Sequence, residues 1–220
     1  RTQLKRSLDA VYNLALSEEQ PMRGRLALGL SHYCGLHLLH DALTAFSQQF
    51  PEVLLDLRFS DSEAIIKDIE QGELALGYAT LPPRVQSQVH TTAIWHEQLI
   101  PMIAPRHWQK NQPTIHNLGR RLPCILPAAG SSTRNSIEHW LDQHQLEPPA
   151  VIEINQLDSI AALAATGVGW AILPETFLSK QLVALKTDLK PSATRALGRI
   201  QPAGRAPNPL AEAFDQLVQD

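Results

Sequence analysis

Small hydroxyl side chains recur in this sequence just after apolar segments that have the length of strands. Ser31 follows GRLALGL, Ser62 lies shortly after VLLDLRF, and Thr80 follows ELALGYA. A hydroxyl at the carboxyl end of a strand and beside a helix amino terminus can donate to ligand oxygens, and the free N–H groups there favour an anion. Each hydroxyl taken alone is more simply a helix cap, but several facing one crevice favour binding of a small carboxylate or similar anion. The candidate binding residues are Ser31, His32, Ser62, Thr80, Ser131, Ser132 and Thr133.

Ser31 does not have the surroundings of a catalytic nucleophile. An α/β-hydrolase nucleophile needs Gly-x-Ser-x-Gly for its strained turn, whereas the sequence here is Gly29-Leu-Ser-His-Tyr-Cys-Gly35, with the second glycine misplaced. The sequence offers no nucleophile paired with a base, so no catalytic residue is predicted.

The histidines and the carboxylates are interpreted as surface groups. His37 and His40 are three residues apart, but no acidic or cysteine cluster accompanies them, so a solvated helix face explains both and no metal or other cofactor is predicted. Four carboxylates near the second predicted helix are expected to be helix-surface charges and not an acid–base pair. They are Glu63, Asp68, Glu70 and Glu73.

Composition excludes several classes of protein. The 220 residues carry a formal net charge of −3, so the chain lacks the basic face that a nucleic-acid binder needs. Cys34 and Cys124 are far apart and in no CxxC motif, which favours a reducing compartment. Apolar runs fall short of the roughly 18 residues of a membrane span, so we expect a cytoplasmic protein that does not enter a membrane.

Alternation of strands and helices predicts two α/β halves with parallel pairing inside each half. An amphipathic helix is expected at 1–20. In the first half, strands are predicted at 25–30, 53–59 and 73–79, with helices at 36–49 and from a capping box of Ser60 and Glu63 to Gly72. Strands at 88–95 and 98–105 follow. In the second half, strands are predicted at 123–127, 150–155 and 169–174, with helices at 133–144, at 157–167, and after an Asn208 cap with Pro209 first in the helix.

This order of elements resembles the effector-binding part of a LysR-type transcriptional regulator. The resemblance is carried by GRLALGL, LLHDALTAFSQQFPEVLLDL, IEQGELALGY and, most specifically, WLDQHQLEPPAVIEINQLDSIAALAATGVGWAILPE. It implies an α/β fold of two Rossmann-like lobes joined by two crossover strands, similar to type II periplasmic binding proteins. It also implies the end of a linker helix at 1–20, a first lobe at 22–102 plus 203–220, and a second lobe at 103–202.

The same resemblance implies a function. A small polar or anionic effector would bind between the lobes, with Ser31, Ser62 and residues 131–133 at the positions of the family's hydroxyls. Thr80 stands where some members carry a larger polar or basic residue, and Ala75 stands where an aspartate is frequent. The chain would sense its effector, form a homodimer or homotetramer and reach DNA only through a winged helix-turn-helix that this sequence lacks.

Two other interpretations stay open at this point. A periplasmic solute-binding protein shares the architecture but needs an export signal, and its mature chain would not begin with a heptad-like helix. An anion-binding α/β enzyme is the other alternative, and it lacks a defensible pair of nucleophile and base.

Overall fold

The computed structural model describes residues 22–82, 88–107, 114–185, 187, 189–190, 192–204 and 208–219. The helix predicted at 1–20 lies outside these residues. In chain order the elements are β1 (Gly24–Leu30), a π-helical turn (Cys34–Leu38), α1 (His40–Gln49), β2 (Val53–Phe59), α2 (Ser62–Gln71), β3 (Leu76–Thr80), β4 (Val89–Ile103), a 3₁₀ turn (Pro105–His107), α3 (Ile115–Gly119), β5 (Cys124–Leu126), α4 (Ser132–Gln143), β6 (Val151–Glu153), α5 (Leu157–Ala165), β7 (Trp170–Pro174), a 3₁₀ turn (Glu175–Phe177), β8 (Val183–Ala184), β9 (Ala193–Pro202) and α6 (Pro209–Gln219).

The strands form one sheet in the order β2-β1-β3-β9-β4-β7-β5-β6, with β8 beside β4. Pairing is parallel among β1, β2 and β3 and among β5, β6 and β7, as the alternation of elements predicts. We call β1–β3 with the π-helical turn, α1, α2 and α6 the first lobe, and β5–β8 with α3–α5 and the turn 175–177 the second lobe. The antiparallel strands β4 and β9 run between the lobes, so two lobes joined by two crossing strands are confirmed.

Each lobe buries its own apolar face. In the first lobe Leu26 and Leu28 of β1 are fully buried, and Phe214 of α6 packs edge-on against Phe46 of α1 at a ring distance of 5.4 Å. In the second lobe Trp170 of β7 is fully buried. The last helix of the chain therefore completes the first lobe. Because the strands within each lobe are parallel, their carboxyl ends lie at one edge of the sheet.

Most predicted element boundaries agree with the structure. Asn208 caps α6, because its Oδ1 accepts from the Leu210 and Ala211 N–H groups at 3.0 and 3.4 Å. Gly72 and Gly167 end α2 and α5 in the left-handed region, with φ of 80° and 76°.

Three local predictions are wrong. The strands expected at 88–95 and 98–105 are one strand, because the interruption is a bulge between Ala93 and Trp95 and not a turn. Asp61 and not Ser60 caps α2, since the Asp61 Oδ1 accepts from the Ala64 N–H at 2.8 Å while the Ser60 N–H is used by the Leu30 carbonyl.

The third wrong prediction is the start of the helix expected at 36–49. A π-helical turn occupies its first residues, in which the Leu39 N–H bonds to the carbonyl of Cys34, five residues earlier, and α1 begins only at His40. The turn seats Gly35 against Phe59, whose ring carbon would lie 2.4 Å from any Cβ at that position. Tertiary packing thus replaces the regular helix that the periodicity favours.

Candidate functional site

A cavity of about 320 Å³ lies between the two lobes at the carboxyl ends of the strands. The first lobe contributes the residues after β1, β2 and β3, and the second lobe contributes the start of α4 and the loop before α5. All of the sequence-predicted binding residues line it, namely Ser31, His32, Ser62, Thr80, Ser131, Ser132 and Thr133. Hydroxyls from distant parts of the chain therefore converge on one crevice.

Two of these serines are also helix caps, which is their simpler interpretation. The Ser31 Oγ accepts from the Cys34 N–H and the Ser131 Oγ accepts from the Arg134 N–H, both at 3.2 Å. A cap of this kind uses one of the free N–H groups in a first turn and leaves others for a ligand. The first turn of α4 contains no acidic residue of its own, and the nearest carboxylate across the cleft is Glu63, 3.3 Å from the Ser132 hydroxyl.

Other hydroxyls are buried in the cavity wall. Ser62, Thr80, Ser132 and Thr133 are each less than a tenth exposed. The Oγ1 atoms of Thr80 and Thr133 approach to 3.4 Å across the cleft. Among the residues that the structure describes, the Ser62 hydroxyl has no hydrogen-bond partner, so it is available to a ligand.

A buried ion pair adjoins the hydroxyls, and sequence reasoning missed it. The Arg195 side chain of β9 is 2% exposed, and its Nε and Nη2 donate to the Oε2 of Glu97 on β4 at 2.9 and 2.6 Å. Its Nη1 lies 3.4 Å from the Thr133 Oγ1 at the cavity. The two residues are directly opposite in the β4–β9 register, a signal that is visible only once the pairing of these strands is known.

Tyr33 connects this ion pair to the first lobe through two contacts. Its ring lies under the Arg195 guanidinium with 4.2 Å from Cζ to the ring centroid, and its hydroxyl donates to the Glu97 Oε1 at 2.6 Å. Burial, followed by the hydrogen bond to Glu97, raises the pKa of Tyr33 to about 12. Tyr33 therefore stays protonated and keeps donating at neutral pH.

Two groups that were interpreted as surface groups also contact the second lobe. Glu63 lines the cavity and accepts from the Ser132 hydroxyl across the cleft at 3.3 Å. The His37 Nε2 lies 2.9 Å from an Asp158 carboxylate oxygen in the second lobe, and its ring contacts Phe177 at 5.4 Å. Both residues are exposed, as predicted, and their contacts with the second lobe are what the sequence did not indicate.

The cysteines lack the features of reactive thiols. Cys34 and Cys124 are both buried and unpaired. Burial raises the pKa of Cys34 to about 11 and also raises the pKa of Cys124. Within the described ranges, no group of three or more histidine, cysteine or acidic side chains could hold a metal ion.

A larger cavity, of about 740 Å³, lies at the amino ends of β1 and β3 and includes none of the predicted residues. Its two arginines are paired within the protein, Arg199 with Asp215 and Arg25 with Asp56. Ligands of open α/β sheets bind at the carboxyl ends of the strands, so the smaller cavity between the lobes is the better candidate.

None of the helices in the described part of the chain is long and apolar enough to cross a bilayer.

The comparisons with known proteins agree on the fold. The family model for the LysR substrate binding domain matches residues 19–220. The uncharacterised HTH-type transcriptional regulator YybE of Bacillus subtilis is 25% identical over 204 residues, which cover 90% of this chain and 68% of that protein.

Solved structures give the same result. The effector binding domain of QuiR in complex with shikimate superposes with a TM-score of 0.76 at 14% identity, covering 90% of this chain and 96% of that one. The regulatory domain of CcmR from Synechocystis PCC6803 in complex with 2-PG gives 0.76 at 20% identity, with the same coverage. The fold is therefore the type II periplasmic-binding-protein fold of such domains.

Proposed function

The chain belongs to the LysR substrate binding domain family, and we propose that it senses a small polar or anionic metabolite bound between its two lobes. The family is one of transcription regulators and not of enzymes. In this proposal the bound effector changes the arrangement of the lobes, and that change controls how the complete regulator acts on DNA.

The observation that carries the proposal is the convergence of hydrogen-bond donors from both lobes on one cavity. Ser31 and Thr80 come from the first lobe, Ser132 and Thr133 come from the second, and the guanidinium of Arg195 lies between them. A small molecule that accepts from both sides would contact both lobes at once. The cavity volume of about 320 Å³ is that of a compact metabolite.

The ligands of related domains support this size class. The structure of the QuiR domain contains shikimate, and that of the CcmR domain contains 2-PG. Both are small polar molecules that carry negative charge. We infer the same broad class for this chain and not the same compounds.

Closure of the cleft supplies the mechanism. Polar contacts join the lobes at the cleft: Thr80 with Thr133, Glu63 with Ser132, and Tyr33 with Thr176 at 3.1 Å. His37 adds contacts to Asp158 and Phe177 of the second lobe. An effector that bridges the same surfaces would favour this closed arrangement, and it can shift the equilibrium by no more than its difference in affinity for the two states.

We also propose that the domain works as a homodimer or homotetramer in the cytoplasm. Leu54 and Phe59 on the edge strand β2 are 65% and 43% exposed, which supports an interface with a second copy. DNA would be bound by a winged helix-turn-helix amino-terminal to the linker helix proposed at 1–20. We propose that the first lobe extends over residues 22–102 plus 203–220 and the second over residues 103–202.

A thermal-shift screen of metabolites tests the proposal. A compound present at one hundred times its dissociation constant adds about 2.7 kcal/mol to the free energy of unfolding. Hits should stabilise Thr133→Val by about 1 kcal/mol less than the wild type, because this variant keeps the shape of the side chain and removes its hydroxyl. The proposal is wrong if stabilising compounds act equally on the wild type and on this variant, because the ligand would then bind elsewhere.

A further inference from the structure

We infer that the cavity accepts a small carboxylate with an ammonium or other donor group at its far end and discriminates against dianions, with Glu63 as the residue that sets this selectivity. The inference rests on the proposed function, because it concerns the same cavity. It gives that cavity two ends of opposite character.

The first end is suited to a carboxylate. It is formed by the Arg195 Nη1, the Thr133 and Thr80 hydroxyls, and the start of α4. The Arg195 Nη1 makes only a long contact of 3.4 Å, so one of its hydrogens remains for a ligand oxygen. Buried hydroxyls and N–H groups at a helix amino terminus complete an anion site.

The positive charge at this end of the cavity is already largely neutralised. Arg195 is already paired with Glu97 at 2.6 Å, so the two side chains together are neutral. Apart from Arg195, the described residues that line the cavity include no lysine or arginine. One negative charge can be accommodated by dipoles and hydroxyls, whereas a second would meet no lysine or arginine besides Arg195 among the described lining residues.

The second end is acidic. Asp61 and Glu63 stand at the start of α2 on the cavity wall, and both are exposed to the solvent that fills it. The Ser62 hydroxyl between them is 7% exposed and has no hydrogen-bond partner among the described residues. Asp61 caps α2, and Glu63 accepts from the Ser132 hydroxyl at 3.3 Å but keeps its negative charge at the cavity wall. Glu63 and the neighbouring Ser62 hydroxyl therefore suit a donor, and the charge of Glu63 repels an anion.

Three compounds with the same four-carbon skeleton test the charge rule. At about pH 7.5, butyrate carries one negative charge, succinate carries two, and 4-aminobutyrate carries a carboxylate and an ammonium group. Amide chemical-shift changes of Thr80 and Thr133 are followed by NMR up to roughly 50 mM of each compound, which detects binding weaker than millimolar. We expect 4-aminobutyrate to bind roughly three- to tenfold more tightly than succinate, an advantage that added salt diminishes.

The variant Glu63→Gln keeps the shape of the side chain and removes its charge. We expect it to lower the preference for 4-aminobutyrate over succinate at least threefold, as expected from removal of one nearby charge. Glu147→Gln, beyond the carboxyl end of α4, removes an equal charge outside the cavity and should leave the preference unchanged. Butyrate controls for contact with the carboxylate end alone.

The outcomes separate the two proposals. Succinate binding as tightly as 4-aminobutyrate, or a preference that survives in Glu63→Gln, would overturn the selectivity assigned to Glu63 and leave the effector site in place. Failure of all three compounds to shift the cavity amides would overturn the carboxylate end inferred here, whereas the proposed function is refuted only by the outcome of the metabolite screen.

Discussion

Neutralising Glu97 should destabilise the protein strongly, because the charge of Arg195 would then be buried without a counter-ion. Arg195 is 2% exposed and Glu97 15%, and two donors of the guanidinium are held by one carboxylate oxygen. Removal of one partner of a buried pair costs about 3–5 kcal/mol. Because Glu97 retains some solvent contact and glutamine keeps one acceptor, we expect Glu97→Gln to cost about 3 kcal/mol, the lower end of that range.

Urea unfolding followed by tryptophan fluorescence measures this loss, since Trp170 is fully buried and reports on the folded core. The matched control is Glu52→Gln. It breaks the exposed Arg23–Glu52 pair, of which the side chains are 67% and 47% exposed, and should cost less than about 1 kcal/mol. A loss for Glu97→Gln no larger than that of the control would refute the argument from burial. Replacing both partners by apolar residues should recover most of the stability.

Three further predictions follow from the site and the crossing strands. Ser31→Ala should weaken binding of a screened effector by about 1 kcal/mol, the net worth of one hydrogen bond, and calorimetry measures it. Gly198→Ala would place a Cβ 2.0 Å from the Thr92 carbonyl oxygen of the paired strand, so urea unfolding should show a loss above about 2 kcal/mol. Burial raises the pKa of Cys34 from 9.0 to about 11, so the folded thiol keeps a proton that the unfolded chain loses, and stability falls as pH rises through this window. Cys34→Ala should show a smaller fall.

The elements could be predicted from the sequence because their signals are local. The strand β1 and the helix α6 are bounded by residues that act on their immediate neighbours, such as Asn208 at a helix start and Gly72 at a helix end. The π-helical turn could not be predicted from the sequence, since it depends on the close approach of Gly35 to Phe59, which belongs to the strand β2.

Some residues of the candidate site could likewise be predicted from the sequence, and others could not. The hydroxyls could be found because the carboxyl ends of parallel strands always share an edge, so a position in the sequence already implies a position in space. The ion pair of Glu97 and Arg195 could not be found from the sequence, because its residues are 98 positions apart and meet only through the register of β4 with β9. Glu63 is exposed on its helix as predicted, but its contact with Ser132 could not be predicted because the lobe that faces this helix was not known. The binding role of the hydroxyls stays a prediction.

The crossing strands also constrain the order in which the protein can be completed during synthesis. The first lobe begins with β1, yet β3 pairs with β9, and the α1 face is covered by Phe214 of α6. On the ribosome, the first lobe can therefore complete its fold only after residues 193–219 have been synthesised. The second lobe, which is encoded between the two parts of the first, can fold earlier. A nascent chain stalled before β9 would expose the edge of β3, and chaperones should be needed most at that moment.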